Sequence, residues 1–402
     1  MTGPPPDLDP AWIERLRQDT PGTDQVIHLN NAGQALAPRP VLAAVTDYLE
    51  AEALTGGYET ARERAGELDA AYTDFAALMD CAPEEIALVE NASRAWAFAC
   101  LSLPLSKGDT VLIGPGEYSA NVLTLLHRAK RDGFRIERID AAPDGTVSLQ
   151  DLTDKLDEHV RLVAITHCPS DNGLVNPAEA IGALTEQAGV PYLLDACQSV
   201  GQRPVSFAAT RATFLVGTAR KFLRGPRGIG FLLVRHAMLE RLNPPLIDFL
   251  SADWTAADAY AFRPGAKRFE TFERSRAVQA GFAAAIRYAQ AIGMETIKER
   301  IVRLSRRLRE GLRGLGSIDV QDEGTDQSAI VVFRVQGLKD EAVVQTLGRA
   351  SINVSLVTRP AGQCALAPHP TQTAVRASVH YYTLEREIDA LLDQVSELKP
   401  TR

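Results

Sequence analysis

The sequence predicts an α/β protein: a mainly parallel sheet flanked by helices, followed by a smaller α/β region toward the C-terminal end. Three observations predict it. Apolar runs of strand length (Ile86–Val89, Thr110–Ile113, Leu162–Thr166, Val190–Leu194, Thr213–Val216, Gly230–Val234) recur between stretches of helical periodicity. Two of these runs lead directly into polar groups, Asp195 at one tip and Thr218–Lys221 beyond another, as strands do whose carboxyl ends face a ligand crevice. At 402 residues, 45% of them hydrophobic, the chain is long enough to bury a core divided between two domains.

Taken in order, residues 1–11 read as a loose arm and Trp12–Gln18 as a short helix. Val26–Leu29 is a strand leading into N-N-A-G-Q (Asn30–Gln34), whose small residues let a backbone approach a ligand closely. Helices over Pro38–Ala53 and Thr60–Met79 are joined by a loop at Gly56-Gly57-Tyr58. Strand Ile86–Val89 runs into E-N-A-S-R-A-W-A-F-A, a polar turn opening a small-residue helix. Taken alone, Asn91 or Ser93 is an ordinary helix cap. The same N–H groups with the Ser93 hydroxyl can also cradle a phosphate. Thr110–Ile113 ends in G-P-G-E-Y-S-A-N, and Leu162–Thr166 in H-C-P-S-D-N-G-L-V-N-P. Ala252–Ala266 is loop-like, and Arg276–Gly293 and Met294–Leu315 are long helices, the second with a solvated Arg/Glu face. Strand Ser328–Val335, helix Lys339–Arg349, strands Val354–Thr358 and Ala374–Val379, and helix Glu385–Val395 complete the chain. The expected division is an arm at 1–20, a large domain at 21–265, a linking helix at 266–294 and a small domain at 295–402.

Composition excludes several classes of function. A formal charge of −8 argues against a nucleic-acid or anionic-membrane partner. No apolar run approaches the ~20 residues that span a bilayer, and M-T-G-P-P-P-D-L-D-P lacks the basic and apolar regions of a signal peptide. The five cysteines form no C-x-x-C pair and read as reduced core residues of a cytoplasmic protein. The seven histidines are scattered singly, so no metal site is expected.

The chemistry concentrates in Y-L-L-D-A-C-Q-S-V-G and T-F-L-V-G-T-A-R-K-F-L-R-G-P-R-G-I-G-F-L-L-V. Lysine makes Schiff bases with carbonyls, and a carboxylate is the partner a pyridinium nitrogen needs. Lys221 and Asp195 at neighbouring strand ends therefore point to pyridoxal 5′-phosphate. These blocks resemble the class V aminotransferase-type enzymes of PLP fold type I, which include cysteine desulfurases, selenocysteine lyases, kynureninase, isopenicillin N epimerase and ergothioneine-pathway C–S lyases. The likeness runs from about His28 to Asp389.

The resemblance implies a seven-stranded, mainly parallel sheet, a homodimer with active sites at the subunit interface, and a set of roles. Lys221 carries the cofactor and Asp195 pairs with its ring nitrogen. Gln198 and Ser170 face its phenolic oxygen. Ala92, Ser93, Thr218 and Arg220 receive its phosphate, with Arg274 or Ser275 of a neighbouring subunit. Arg376, in V-R-A-S-V-H, clamps the substrate α-carboxylate, and Asn31 and Tyr58 lie near the substrate. His167 is placed behind the site rather than in it. Arg224 and Arg227 flank the lysine turn, either reaching substrate or capping the loop, with capping the favoured reading, and Arg359 is a candidate polar contact for substrate. Tyr118 occupies the position where desulfurases carry a histidine stacked on the ring; a phenol stacks equally well but is a poorer acid–base at neutral pH than an imidazole. Cys364, upstream of Arg376, sits at shorter spacing than the persulfide cysteine of desulfurases and reads as an unreactive loop residue. The expected activity is β-elimination with C–S cleavage of a cysteine-derived amino acid, of the hercynylcysteine sulfoxide lyase or cystine lyase kind. The alternatives are a desulfurase using Cys364, an isopenicillin-N-epimerase-like racemase, or an aminotransferase.

Overall fold

The computed structural model describes residues 9–360 and 371–398. Its centre is a seven-stranded sheet in the order Ile86–Val89, Gly230–Val234, Phe214–Thr218, Tyr192–Asp195, Val160–Thr166, Thr110–Ile113, Arg135–Arg138. Gly230–Val234 runs antiparallel to both neighbours; the other pairs are parallel. Successive side chains alternate between two buried faces. Ile86, Leu88, Leu112, Val163 and Leu194 pack with Phe75 and Phe282 on one, and Ala87, Val89, Val111 and Leu193 with Trp96 and Phe269 on the other. Burial on both sides is what a largely parallel sheet requires, and it explains the unbroken apolar runs in the sequence.

A second sheet of four antiparallel strands follows, in the order Ile318–Val320, Ile330–Val335, Thr371–Ser378, Ser355–Pro360. Helices Met294–Gly314, Asp340–Arg349 and Glu385–Glu397 bury apolar residues in the core with it. The N-terminal segment is stitched to this unit: Ile27–His28 pairs with Ile352–Asn353, Asn30 bridges Ser378, and Arg17 meets Glu387 at 3.0 Å.

Three elements differ from expectation. The helix predicted over Thr60–Met79 is two, Gly57–Glu63 and Ala65–Met79, broken at Arg64. Tyr58 therefore lies on a helix rather than a loop, and Gly56 alone takes the left-handed turn, at φ 97°. The loop-like stretch Ala252–Ala266 contains an antiparallel hairpin, Ala252–Ala256 with Ala259–Phe262. Its alternation of alanine with polar and aromatic residues, nearly all exposed, hides the strand pattern. Arg135–Arg138 is not legible as a strand because it is a polar sheet edge, the composition that blunts edges. Among the described residues no helix is long and apolar enough to cross a membrane.

Candidate active site

The carboxyl ends of the parallel strands, with the segments that follow them, enclose a cavity of about 640 Å³ containing Lys221 and Asp195. Lys221 lies on the turn that leaves Phe214–Thr218 and returns as Gly230–Val234. The turn is closed by hydrogen bonds from the Gly225 N–H to the Ala219 carbonyl (2.8 Å) and from the Arg224 N–H to the Lys221 carbonyl (2.9 Å). Arg224 itself is fully buried and in left-handed backbone, φ 61°. Its guanidinium donates to the Tyr381 hydroxyl (2.6 Å), the Thr20 hydroxyl (2.6 Å) and the Leu36 carbonyl (2.8 Å), and lies 4.4 Å over the Tyr382 ring. Arg224 is the anchor of the lysine turn, as the sequence suggested. Burial lowers the pKa of Lys221, the nearby positive charges of Arg220 and Arg376 push the same way, and Cys197 and Asp195 oppose them. A lysine so placed offers the free amine that Schiff-base chemistry and proton abstraction need.

Asp195 ends its strand buried, and its carboxylate is fixed from two sides. The Asn121 amide donates to Oδ2 at 2.8 Å and the Cys197 N–H donates to Oδ1 at 3.0 Å. Behind it sits Glu117, 3% exposed, accepting from the Thr166 N–H (2.6 Å) and hydroxyl (2.9 Å). Burial, and next the charge of Asp195, push the Glu117 carboxyl up to about 8, against hydrogen bonds from Thr166 and Asn121 that lower it. Sequence reasoning missed Asn121 and Glu117. The available signal was a Glu and an Asn four residues apart, closing an apolar strand and opening the helix Ser119–Asp132.

At the far end of the cavity helix Ala92–Leu101 begins, with Asn91 capping it through the Arg94 N–H (2.9 Å). Ala92, Ser93 and Thr218 line this end. The strand Gly230–Val234 passes so close that a Cβ on Gly230 would lie 2.8 Å from the Asn91 carbonyl carbon and 2.9 Å from the Ala92 nitrogen. A helix N-terminus with two hydroxyls is suited to seat a phosphate. Near the entrance, Ser170 accepts from Arg376 Nη1 through its carbonyl (2.9 Å). Gln198 donates to the Ala32 carbonyl (3.1 Å) while its buried Oε1 has no partner. Arg376 is likewise buried with Nε unpartnered. The residues thus fit pyridoxal phosphate: an amine for the aldehyde, an acid for the ring nitrogen, a cradle for the phosphate and unspent polar atoms along the rim.

Nine of the expected residues, Ala92, Ser93, Tyr118, Ser170, Asp195, Gln198, Thr218, Arg220 and Lys221, line this one cavity, and Arg376 lines the wider mouth above it. Three others lie elsewhere in the chain. Asn31 is buried and spent on the Ser378 carbonyl (2.7 Å), the His28 carbonyl (3.2 Å) and the Tyr382 hydroxyl; Asn30 faces the mouth instead, its Oδ1 accepting from Arg376 at 3.4 Å. Tyr58 is exposed and leans toward Phe272, 6.2 Å between ring centres. Ser275 caps helix Arg276–Ile292 through the Val278 N–H (3.2 Å), and Arg274 is tied to Glu270 and Tyr72. His167 is buried outside the cavity, its pKa driven down to about 3 by burial and by Arg203. Cys364 lies outside the described residues.

The chain resembles known proteins along nearly its whole length. The model of the family described as aminotransferase class-V matches residues 27–391. A probable cysteine desulfurase of Pyrococcus abyssi is 28% identical over 394 residues, covering 96% of this chain and 97% of that protein. The apo structure of a cysteine desulfurase from Thermococcus onnurineus aligns with a TM-score of 0.86 at 26% identity, covering 96% of this chain and 97% of that one. A cystine C–S lyase in complex with its product cysteine persulfide shares the fold at TM-score 0.86 and 24% identity, covering 95% of this chain and 100% of that one. A mutant carrying glycine covalently linked to its PLP cofactor aligns at TM-score 0.87 and 24% identity, covering 95% and 99%.

Proposed function

This chain belongs to the class-V aminotransferase family, and from that premise we propose that it is a C–S lyase eliminating the sulfur substituent of a cysteine-derived amino acid. It is an enzyme of this family, and its cofactor is pyridoxal 5′-phosphate. Bound, the cofactor supplies an aldehyde for Schiff-base chemistry and a protonated ring that withdraws electrons from the substrate α-carbon. Asp195, held by Asn121 and the Cys197 N–H, keeps the proton on the ring nitrogen. Arg376 takes the α-carboxylate through its unpartnered Nε and the fork beside it. Lys221 Nζ removes the α-proton as general base. The C–S bond then breaks, its electron pair leaving on sulfur, and hydrolysis releases pyruvate and ammonia.

The observation that carries this reading is the inventory of the inner cavity. Among the described residues no imidazole lines it, and Lys221 is its one amine. The two thiols at its wall, Cys168 and Cys197, are pushed up by burial and so stay protonated. A protonated, buried thiol is not a nucleophile. One base and no activated sulfur, among the described residues, is the equipment of an elimination. The names of the relatives favour a second reading, desulfuration, which assigns the nucleophile to Cys364. Incubating the holoenzyme with L-cysteine, L-cystine and an S-substituted cysteine sulfoxide separates the two. Pyruvate marks elimination; alanine with sulfur transfer marks desulfuration and overturns our reading.

We infer also that the enzyme is a homodimer. Phe249, Trp254 and Tyr58 leave large apolar surface exposed on the side of Phe272 and the surface hairpin, the kind of face that marks association. Ser275, which does not line the Lys221 cavity of its own chain, is then available to a partner's phosphate site. Light scattering that returns a monomer mass at working concentration refutes this.

A further inference from the structure

The wide mouth above the cavity, about 1030 Å³, is lined by Arg220, Lys221, Arg227 and Arg376 and, among the described residues, by no aspartate or glutamate. In a chain of net charge −8 this is a local concentration of positive charge. The groups feel one another: Arg220 and Arg376 both bear on Lys221, Arg227 on Arg220, and Arg220 on Arg376. Among the described residues, neither Arg220 nor Arg227 forms an ion pair; Arg376 feels Asp171, which does not line the mouth. A cleft lined by charge of one sign raises the local concentration of anions.

The anions of the proposed reaction do not account for all three guanidinium groups beside Lys221. Lys221 is committed to the aldehyde, Arg376 to the α-carboxylate, and Arg220 also lines the inner cavity where the phosphate cradle lies. Arg227 remains, on the mouth side alone. It is exposed but held: Nε and Nη2 both donate to the Gln34 side-chain oxygen, at 3.2 and 2.8 Å. That contact spends one edge of the guanidinium, and Nη1 has no partner among the described residues. Arg220 is turned toward the same turn of chain, donating to the Gly33 carbonyl. A guanidinium fixed on one edge and open on the other is a prepared receptor for a carboxylate or a similar oxyanion.

We propose that the substrate carries a second acidic group on its sulfur substituent and that Arg227, positioned by Gln34 and reinforced by the charge of Arg220, receives it. The substrate class is then a cysteine-derived amino acid whose leaving portion ends in a carboxylate or equivalent oxyanion. This rests on the C–S cleavage reading, but the test does not use turnover. The holoenzyme is titrated calorimetrically with butyrate and with the unbranched diacids from succinate to pimelate, none of which has an amine to react with the cofactor. One diacid length is expected to bind at least about tenfold more tightly than butyrate, the advantage of one added charge-assisted contact. Arg227→Gln is expected to abolish that advantage while leaving butyrate affinity within about twofold, which also reports an intact fold. Equal binding of butyrate and every diacid overturns the proposal, and so does a diacid preference that survives in Arg227→Gln. Either result leaves the pyruvate assay untouched, so the two readings fail separately.

Discussion

Glu117→Gln isolates the electrostatics behind Asp195, the proposed partner of the cofactor's ring nitrogen. Glu117 is a buried acid whose folded-state pKa is about 8 against an ordinary 4.5. An acid raised in this way keeps its proton in the folded protein at pH values where the unfolded chain has lost it. The folded state then binds more protons than the unfolded one, so stability falls as pH rises from about 4.5 to about 8 and is level above that window. Each pH unit across that window costs about 1.4 kcal/mol, so the full span is on the order of 5 kcal/mol. Glutamine cannot ionise, yet keeps an oxygen to accept from the Thr166 N–H, while its amide can donate to the Thr166 hydroxyl. Urea unfolding of the apoprotein, followed by the fluorescence of buried Trp96, is the assay. The variant is expected to match or fall slightly below wild type at pH 5 and to exceed it by several kcal/mol at pH 9. Because part of the rise comes from the charge of Asp195, adding Asp195→Asn to wild type moves the same slope to lower pH. Parallel pH profiles for wild type and Glu117→Gln refute the reasoning, since they mean Glu117 is already ionised across the range.

Lys221→Ala is expected to abolish turnover, a loss of at least about 10²-fold from the missing base alone, and to leave the cofactor bound but extractable by gel filtration without a nucleophile. Gly230→Ala puts a Cβ against the Asn91–Ala92 backbone and the Gly217 carbonyl. It should weaken pyridoxal phosphate retention more than about tenfold, measured by equilibrium dialysis; unchanged retention removes that helix start as the phosphate seat. Arg224→Ala strands the Tyr381 and Thr20 hydroxyls and the Leu36 carbonyl. At about 1–3 kcal/mol for each group left unsatisfied, a fall of at least about 3 kcal/mol is expected in chemical denaturation.

The sequence made the strand ends legible because fully buried parallel strands are written as unbroken apolar runs and their termini stand out as polar punctuation. Asp195, Thr218 and Lys221 could be placed for that reason. Asn31 and Asn30 could not be told apart: neighbouring residues in a tight turn point in opposite directions, and only the hydrogen bonds to Ser378 and Tyr382 decide which one is spent on structure. Glu117 and Asn121 escaped because their roles lie in contacts with Thr166 and Asp195, far along the chain. Arg227 reads in sequence as a loop cap or a substrate contact, and the mouth, which holds no carboxylate among the described residues, favours the second.

Arg224 also sets an order of events during synthesis. Its guanidinium waits inside the lysine turn for the Tyr381 hydroxyl and the Tyr382 ring, which leave the ribosome more than 150 residues later. Until they arrive, the large sheet can form but its catalytic turn keeps an unpaired charge that is better left in water. A nascent chain is therefore expected to display an open, solvated lysine loop until translation has nearly finished. Capture of the cofactor becomes a late checkpoint of maturation, and a chain truncated before Tyr381 is expected to be made as an apoprotein whatever the supply of cofactor.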